Sequence, residues 1–257
     1  MKKQIITLGK RKIQTTYLEK PFDKALSELK ENGYRIITAK ENVELRMETG
    51  KDSFISKNGN YVQEGVIYVP KKGIFLTKHP PILKNPKEST EANRNGNEFY
   101  ITNEQTERAL ESSVKVPYSQ TNISFDEFGD DEITNFLFGK KAKDYGLFLK
   151  DAGINEMPLY FQNKDYIDGK GRSFANQLWL GGLDRWSDLG GGFQSLGYDF
   201  RVCGVKVSNA EGVAKQNFYS KTTKINQMLN LVEEIKKGNK PSKNLQKVVS
   251  FLASLKK

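Results

Sequence analysis

The chain has 257 residues, 37% of them hydrophobic and 28% charged, which is enough apolar material for the core of one large domain or two small ones. Its apolar runs, such as Leu147-Phe148-Leu149, fall far short of the ~20 residues a membrane-spanning helix needs, so no membrane insertion is expected. One cysteine (Cys203) and one histidine (His79) exclude an internal disulfide and a zinc site built from several Cys and His, while a net charge of +10 leaves acidic partners open.

The start, Met1-Lys2-Lys3-Gln4-Ile5-Ile6-Thr7, has no long apolar stretch and no small-residue cleavage site. It does not read as a secretory signal, and a cytoplasmic chain is expected. Residues 21–32 predict a helix: Pro21 suits its first turn, and Phe22, Ala25, Leu26 and Leu29 share one face. Asn32-Gly33 ends it. Tyr34-Arg35-Ile36-Ile37 reads as a strand and 39–46 as a short helix. Gly65-Val66-Ile67-Tyr68-Val69 and Ile74-Phe75-Leu76-Thr77 flank Pro70-Lys71-Lys72-Gly73, which predicts a hairpin. Residues 80–97 lack apolar periodicity and read as a long loop. His79, in the stiff segment Lys78-His79-Pro80-Pro81, is the only imidazole that a triad mechanism could use, and no catalytic role is expected for it. Helices are predicted over 103–111, 130–138 and 140–151, the last stopping at Gly153, and a strand at Pro158-Leu159-Tyr160-Phe161. The acids Asp126, Glu127, Asp130, Asp131 and Glu132 could bind a cation. The plainer reading is a helix start, where carboxylates favour the dipole.

The tail differs in character. Ile225, Met228, Leu229, Val232 and Ile235 share a helical face that ends at Gly238. A second helix from Pro241-Ser242 carries Leu245, Val248, Val249, Leu252 and Leu255. Residues 206–257 hold eleven lysines against three glutamates, about +8 of the total charge. This is either a solvated face on a helical hairpin or a docking surface for an acidic partner.

Residues 173–204 do not match their surroundings. They hold both tryptophans, Trp179 and Trp186, seven glycines and no lysine. Gly190-Gly191-Gly192 lacks the Lys and Ser/Thr of a phosphate loop. The segment predicts short strands joined by exposed loops. Trp179, Leu180, Leu183, Trp186, Leu196 and Val202, with Leu178 and Leu189, form a buried frame. Twelve small, polar or aromatic residues lie between them: Gly181, Gly182, Arg185, Asp188, Gly190, Gly192, Phe193, Ser195, Gly197, Tyr198, Asp199 and Phe200. Such residues on loops over a rigid frame suit an adaptable binding surface.

The arrangement Gln177-Leu178-Trp179-Leu180, Leu183-Asp184, Ser187, Leu189, Leu196, Arg201-Val202 and Gly204-Val205 resembles the variable region of diversity-generating retroelement proteins, especially those of uncultivated archaea. In that family a reverse transcriptase copies a template with errors at adenines, and the copy replaces the matching segment of the target gene. The resemblance implies an α+β chain with a C-type lectin fold of the formylglycine-generating-enzyme type, closed by Phe200-Arg201-Val202-Cys203-Gly204-Val205 as its last core strand. It implies a ligand-binding domain over 1–205 with the variable region at about 177–205, and the order of elements places the lectin-like body, with its strands, at about 30–205. The helix at 21–32 and a basic helical extension over 206–257 would pack on this body.

The genetic code agrees with that reading. Adenine errors in an AAC asparagine codon reach Gly, Arg, Asp, Phe, Ser and Tyr, the only residue types at the twelve positions, but not Trp or Gln. Trp179, Trp186, Gln177 and Gln194 therefore belong to the fixed frame. The namesake enzyme needs active-site cysteines that Cys203 alone cannot supply, so only the fold carries over. The expected function is the display of a hypervariable surface to an unknown ligand, a protein or other macromolecule, by a monomer that is not an enzyme and has no cofactor, no metal and no catalytic residues. The alternative is nucleic-acid binding through the lysine-rich C-terminal helices, although no recognised motif accompanies them.

Overall fold

The computed structural model describes residues 2–8, 11–184, 187–192 and 196–207. The chain divides into two units, Met1–Lys206 and Val207–Lys257. The expected C-terminal helices, and the expectation that they pack on the body, lie outside the described residues.

Strands β1 (Lys2–Leu8) and β2 (Arg11–Lys20) form an antiparallel hairpin. Helix α1 (Phe22–Glu31), strand β3 (Arg35–Ile36), helix α2 (Ala39–Thr49) and the single turn α3 (Phe54–Lys57) follow. The predicted hairpin is β4 (Asn60–Val69) and β5 (Gly73–Thr77). Next come α4 (Pro86–Arg94), β6 (Phe99–Tyr100), α5 (Asn103–Leu110), β7 (Ser113–Val116) and β8 (Asn122–Ser124). Helices α6 (Glu132–Phe138) and α7 (Ala142–Asp151) precede β9 (Glu156–Tyr160) and α8 (Lys164–Gly169). The described chain closes with β10 (Phe174–Leu180), β11 (Leu189–Gly190) and β12 (Phe200–Val207).

Two expectations are corrected. Residues 80–97 are not a loop: a 3-10 turn over Pro81–Leu83 leads into α4, whose buried residues are Ser89 and Thr90 rather than aliphatics. The strands also begin well before residue 30, because β2 lies beside β12 in the order β1-β2-β12-β4-β10-β11-β9-β8.

Side-chain alternation builds two cores from one set of strands. Val62, Val66 and Tyr68 of β4, Phe174, Leu178 and Leu180 of β10, and Cys203 and Val205 of β12 join Val43, Phe138, Tyr145 and Leu149 from α2, α6 and α7. Tyr61 and Ile67, Ala175 and Val202 point the other way, to Phe22, Ala25 and Leu29 of α1. Both faces are covered, so nearly every residue of β4 and β10 is buried, the polar Asn60, Glu64, Asn176 and Gln177 included. At roughly 1.5–3 kcal/mol per buried large side chain, these central strands contribute much of the hydrophobic stabilisation.

Strand β4 is irregular where it matters. Gln177 pairs with Gly65 and Trp179 with Tyr61, so two steps along β10 are matched by four along β4. The extra residues leave carbonyls out of the ladder. The buried Gln177 amide answers them, donating from Nε2 to Val62 O and, at 2.8 Å, to Glu64 O. The backbone N–H of Gln63 turns away to Ile37 O at 2.7 Å. Gln177→Leu keeps the approximate volume but removes the donor, and each carbonyl left unsatisfied should cost about 1–3 kcal/mol. A urea denaturation midpoint equal to that of the parent would show that the amide does not hold the bulge.

Candidate functional site

The irregularity in β4 aligns a row of residues across five strands. Val202 of β12 pairs with Tyr61 of β4, Tyr61 with Trp179 of β10, Trp179 with Gly190 of β11, and Gly190 with Tyr160 of β9. Leu180, Leu189 and Leu159 take the opposite side and are buried. The row therefore faces the α1 side, where the Phe22 ring meets Tyr61 edge-on at 5.4 Å. Beyond that contact the sheet opens into a cleft of about 290 Å³ lined by Tyr61, Tyr160, Trp179, Asp188, Gly190, Gly192 and Phe200. Its walls stand nearly square to each other. Trp179 meets Tyr61 at 5.2 Å and 80°, and Phe200 at 5.5 Å and 72°.

The loop from 181 to 188 is held from beneath. Gly181 N–H donates to Asp188 O at 2.7 Å, Ser187 N–H to Gly182 O at 3.1 Å, and Leu183 N–H to Ser56 O at 2.7 Å. Ser187 has φ 51°, in the left-handed region, and its side chain is fully buried. Its hydroxyl lies 2.9 Å from Tyr145 Oη and 3.4 Å from Arg46 Nη1, which also donates to Tyr145 Oη at 2.9 Å. A buried guanidinium on α2 and a tyrosine on α7 thus fix the far end of the loop.

The expected frame and face separate only in part. Leu180, Leu196 and Val202 are buried, as frame residues should be. Trp179 and Leu183 are half-buried; both pack against the buried clusters, and the indole also lines the cleft. Trp186, Arg185, Phe193 and Ser195 lie outside the described residues. Tyr198, Asp199 and Phe200 are exposed, and Asp188, Gly190, Gly192 and Gly197 half-buried. Asp188, Gly190, Gly192 and Phe200 share the cleft. Gly197 is elsewhere, its N–H on Asn93 Oδ1 at 3.1 Å.

Gly181 and Gly182 correct the expectation of an accessible face. Gly181 is buried, and a Cβ there would run into the Asp188 carboxylate and lie 2.9 Å from its backbone nitrogen. A Cβ on Gly182 would collide with the backbone carbonyl of Lys57, which cannot move aside. Gly190 is the reverse case: the nearest atoms to its Cβ would be Trp179 Cβ at 3.5 Å and Asp188 Oδ2 at 3.7 Å, ordinary van der Waals contacts. Tyr61 and Tyr160 were not among the expected site residues. The alternation of Leu159 with Tyr160 was the available signal, one side chain inward and the next, 49% exposed, outward.

The other candidates of the sequence have structural places. Asp131 caps α6, accepting from Thr134 N–H at 2.8 Å, and Glu127 accepts from Ser124 N–H at 3.2 Å, so the acidic run is a helix start. Among the described residues no group of three or more His, Cys, Asp or Glu is placed to hold a metal. No described helix is long and apolar enough to cross a membrane. His79 donates its backbone N–H to Thr77 Oγ1 at 3.2 Å. Cys203 is fully buried in β12, and that burial pushes its thiol up to about 12.

Two outcomes are expected. Gly182→Ala should lose about 1–3 kcal/mol through overpacking, while Gly190→Ser should stay within about 0.5 kcal/mol of the parent. Equal denaturation midpoints for the two variants would contradict the geometry. The folded chain should also resist a thiol-titrating disulfide reagent at pH 8 and react fully once unfolded, since the thiolate is the nucleophile. Stoichiometric labelling without unfolding would place Cys203 outside the core.

No protein-family model matches the chain, and no curated protein matches it. In structure it is similar to a solved protein described under the accommodation of massive sequence variation in Nanoarchaeota by the C-type lectin fold. The TM-score is 0.55 at 16% sequence identity, over 78% of this chain and 99% of that one. Two-faced central strands, helices on both sides and a closing strand β12 beside β4 make this chain an α+β protein with the C-type lectin fold.

Proposed function

We propose that the chain is a ligand-binding protein, not an enzyme, that presents replaceable side chains around a fixed aromatic floor, and that a diversity-generating retroelement replaces them. One observation carries the reading. Backbone pairing and opposite-face leucines hold Gly190 in place, yet the space above it is open to a larger side chain. Register is thereby independent of what residue 190 carries. Asp188 and Phe200 flank it on the cleft, and Tyr198, Asp199 and Phe200 are exposed. A position that must accept Gly, Asp and Phe in turn needs such freedom, because a buried charge or a large volume change would cost several kcal/mol.

The structural neighbour's sequence variation supports the reading by analogy of fold. A near-copy of the coding segment for 177–205 beside a reverse-transcriptase gene would be its genomic mark.

The test is a library randomised at Asp188, Gly190, Gly192, Tyr198, Asp199 and Phe200 with the rest of the chain intact. Most members should melt within about 4 °C of the parent, the shift that ~1 kcal/mol produces in a domain of this size. Selection against unrelated proteins should yield different binders. A library in which most members fail to fold would make the face structural and end the proposal.

A further inference from the structure

The cleft differs from an ordinary apolar pocket in how its one charge is placed. Among the described residues that line it, Asp188 alone is charged, and the largest side chains are Tyr61, Tyr160, Trp179 and Phe200. The point where a side chain of residue 190 would begin lies 3.7 Å from Asp188 Oδ2 and 3.7 Å from Trp179 Cδ1. A ligand atom reaching that point meets a carboxylate oxygen and an indole together. Trp179 packs edge-to-face with both Tyr61 and Phe200, so the three rings make one continuous aromatic wall. Aromatic faces attract cations and a carboxylate adds a charge-assisted hydrogen bond, whereas neither rewards a neutral alkyl group beyond its burial. The volume, about 290 Å³, is at the lower limit of pockets for drug-sized ligands, which begin near ~300 Å³, and suits a single inserted side chain.

We propose that the Trp179–Asp188 cleft captures an alkylammonium group, the lysine side chain of a partner protein. The inference rests on the display reading above and names the ligand chemistry of this particular variant. Tyr61 and Tyr160 lie outside the segment that resembles the variable region, and adenine errors in an asparagine codon do not reach Trp179, so these walls belong to the fixed floor. Asp188 and Phe200 are among the replaceable positions. The preference for a cation is then set at Asp188, and sister chains with another residue there keep the aromatic floor and lose the charge selection.

The experiment titrates the full chain, by calorimetry or by chemical shifts of its aromatic protons, with Nα-acetyl-lysine N-methylamide. The comparison probe is the norleucine counterpart, which keeps the alkyl chain and lacks the ammonium. Saturable binding of the lysine probe, at least tenfold tighter than the norleucine probe, is expected. Asp188→Asn, nearly isosteric and verified as folded by its melting curve, should weaken the lysine probe about tenfold and leave the norleucine probe unchanged. Trp179→Leu should abolish both. No saturable lysine binding, equal binding of the two probes, or an unchanged lysine affinity in Asp188→Asn would each overturn the proposal. If the randomised library folds and yields binders while the lysine probe fails, only the ligand class is lost. Failure of both would remove the display reading as well.

Discussion

The cleft depends on one primary amide. Tyr61 must serve two neighbours at once, Trp179 on the antiparallel side and Val202 on the parallel side. Strand β4 reaches that position only by carrying two residues more than its partner β10, and such an excess strands carbonyls where water cannot reach them. Gln177 fills this need from within β10, its Nε2 serving Val62 O and Glu64 O. A buried polar side chain is usually a cost; here it is what lets an irregular strand stay buried. The five-strand row that floors the cleft follows from it.

The larger core and the cleft then occupy opposite sides of the same strands. The leucines at 159, 180 and 189 are spent on the core shared with α2, α6 and α7. Their neighbours at 160, 179 and 190 face the other way, where α1 stops short and the cleft begins. The 181–188 loop is anchored by Arg46, Tyr145 and Ser187 at its far end. These contacts come from α2 and α7, on the side of the sheet away from the cleft. Under the proposed function, that division would let the surface be specific for one ligand and still be replaceable.

The sequence was legible where pattern and punctuation agreed. Lys71 and Gly73, both at positive φ, turn the β4–β5 hairpin where Pro70-Lys71-Lys72-Gly73 predicts it. Phe22, Ala25 and Leu29 bury the expected face of α1. Segments that bury polar atoms were not legible. Helix α4 buries Ser89 and Thr90, the latter accepting a hydrogen bond from Asp23 N–H at 3.2 Å, and β2 buries Thr15 and Thr16 beside Ile13 and Leu18. Neither shows the aliphatic periodicity from which helices and strands are read. At the site, the glycines divided in a way composition cannot reveal: Gly182 is a glycine because the Lys57 carbonyl occupies its side-chain space, and Gly190 because nothing requires otherwise. Trp179 packs against the core cluster of α1 as a frame residue should, but its place in the register also makes it a wall of the cleft, which composition does not reveal.

Strand β11 has only two residues, Leu189 and Gly190, and is paired on both edges, to β10 and to β9. So short a strand has no slack. The loop before it is closed by Gly181 N–H on Asp188 O and by Ser187 N–H on Gly182 O. Because successive strand residues face opposite ways, a shift of one position would turn Leu189 out to solvent and drive its neighbour into the aliphatic core. At 189–190 the pairing therefore dictates the kind of sequence change it can survive: one side chain may be exchanged for another at the open position, but a residue gained or lost within the strand inverts the sheet's two faces.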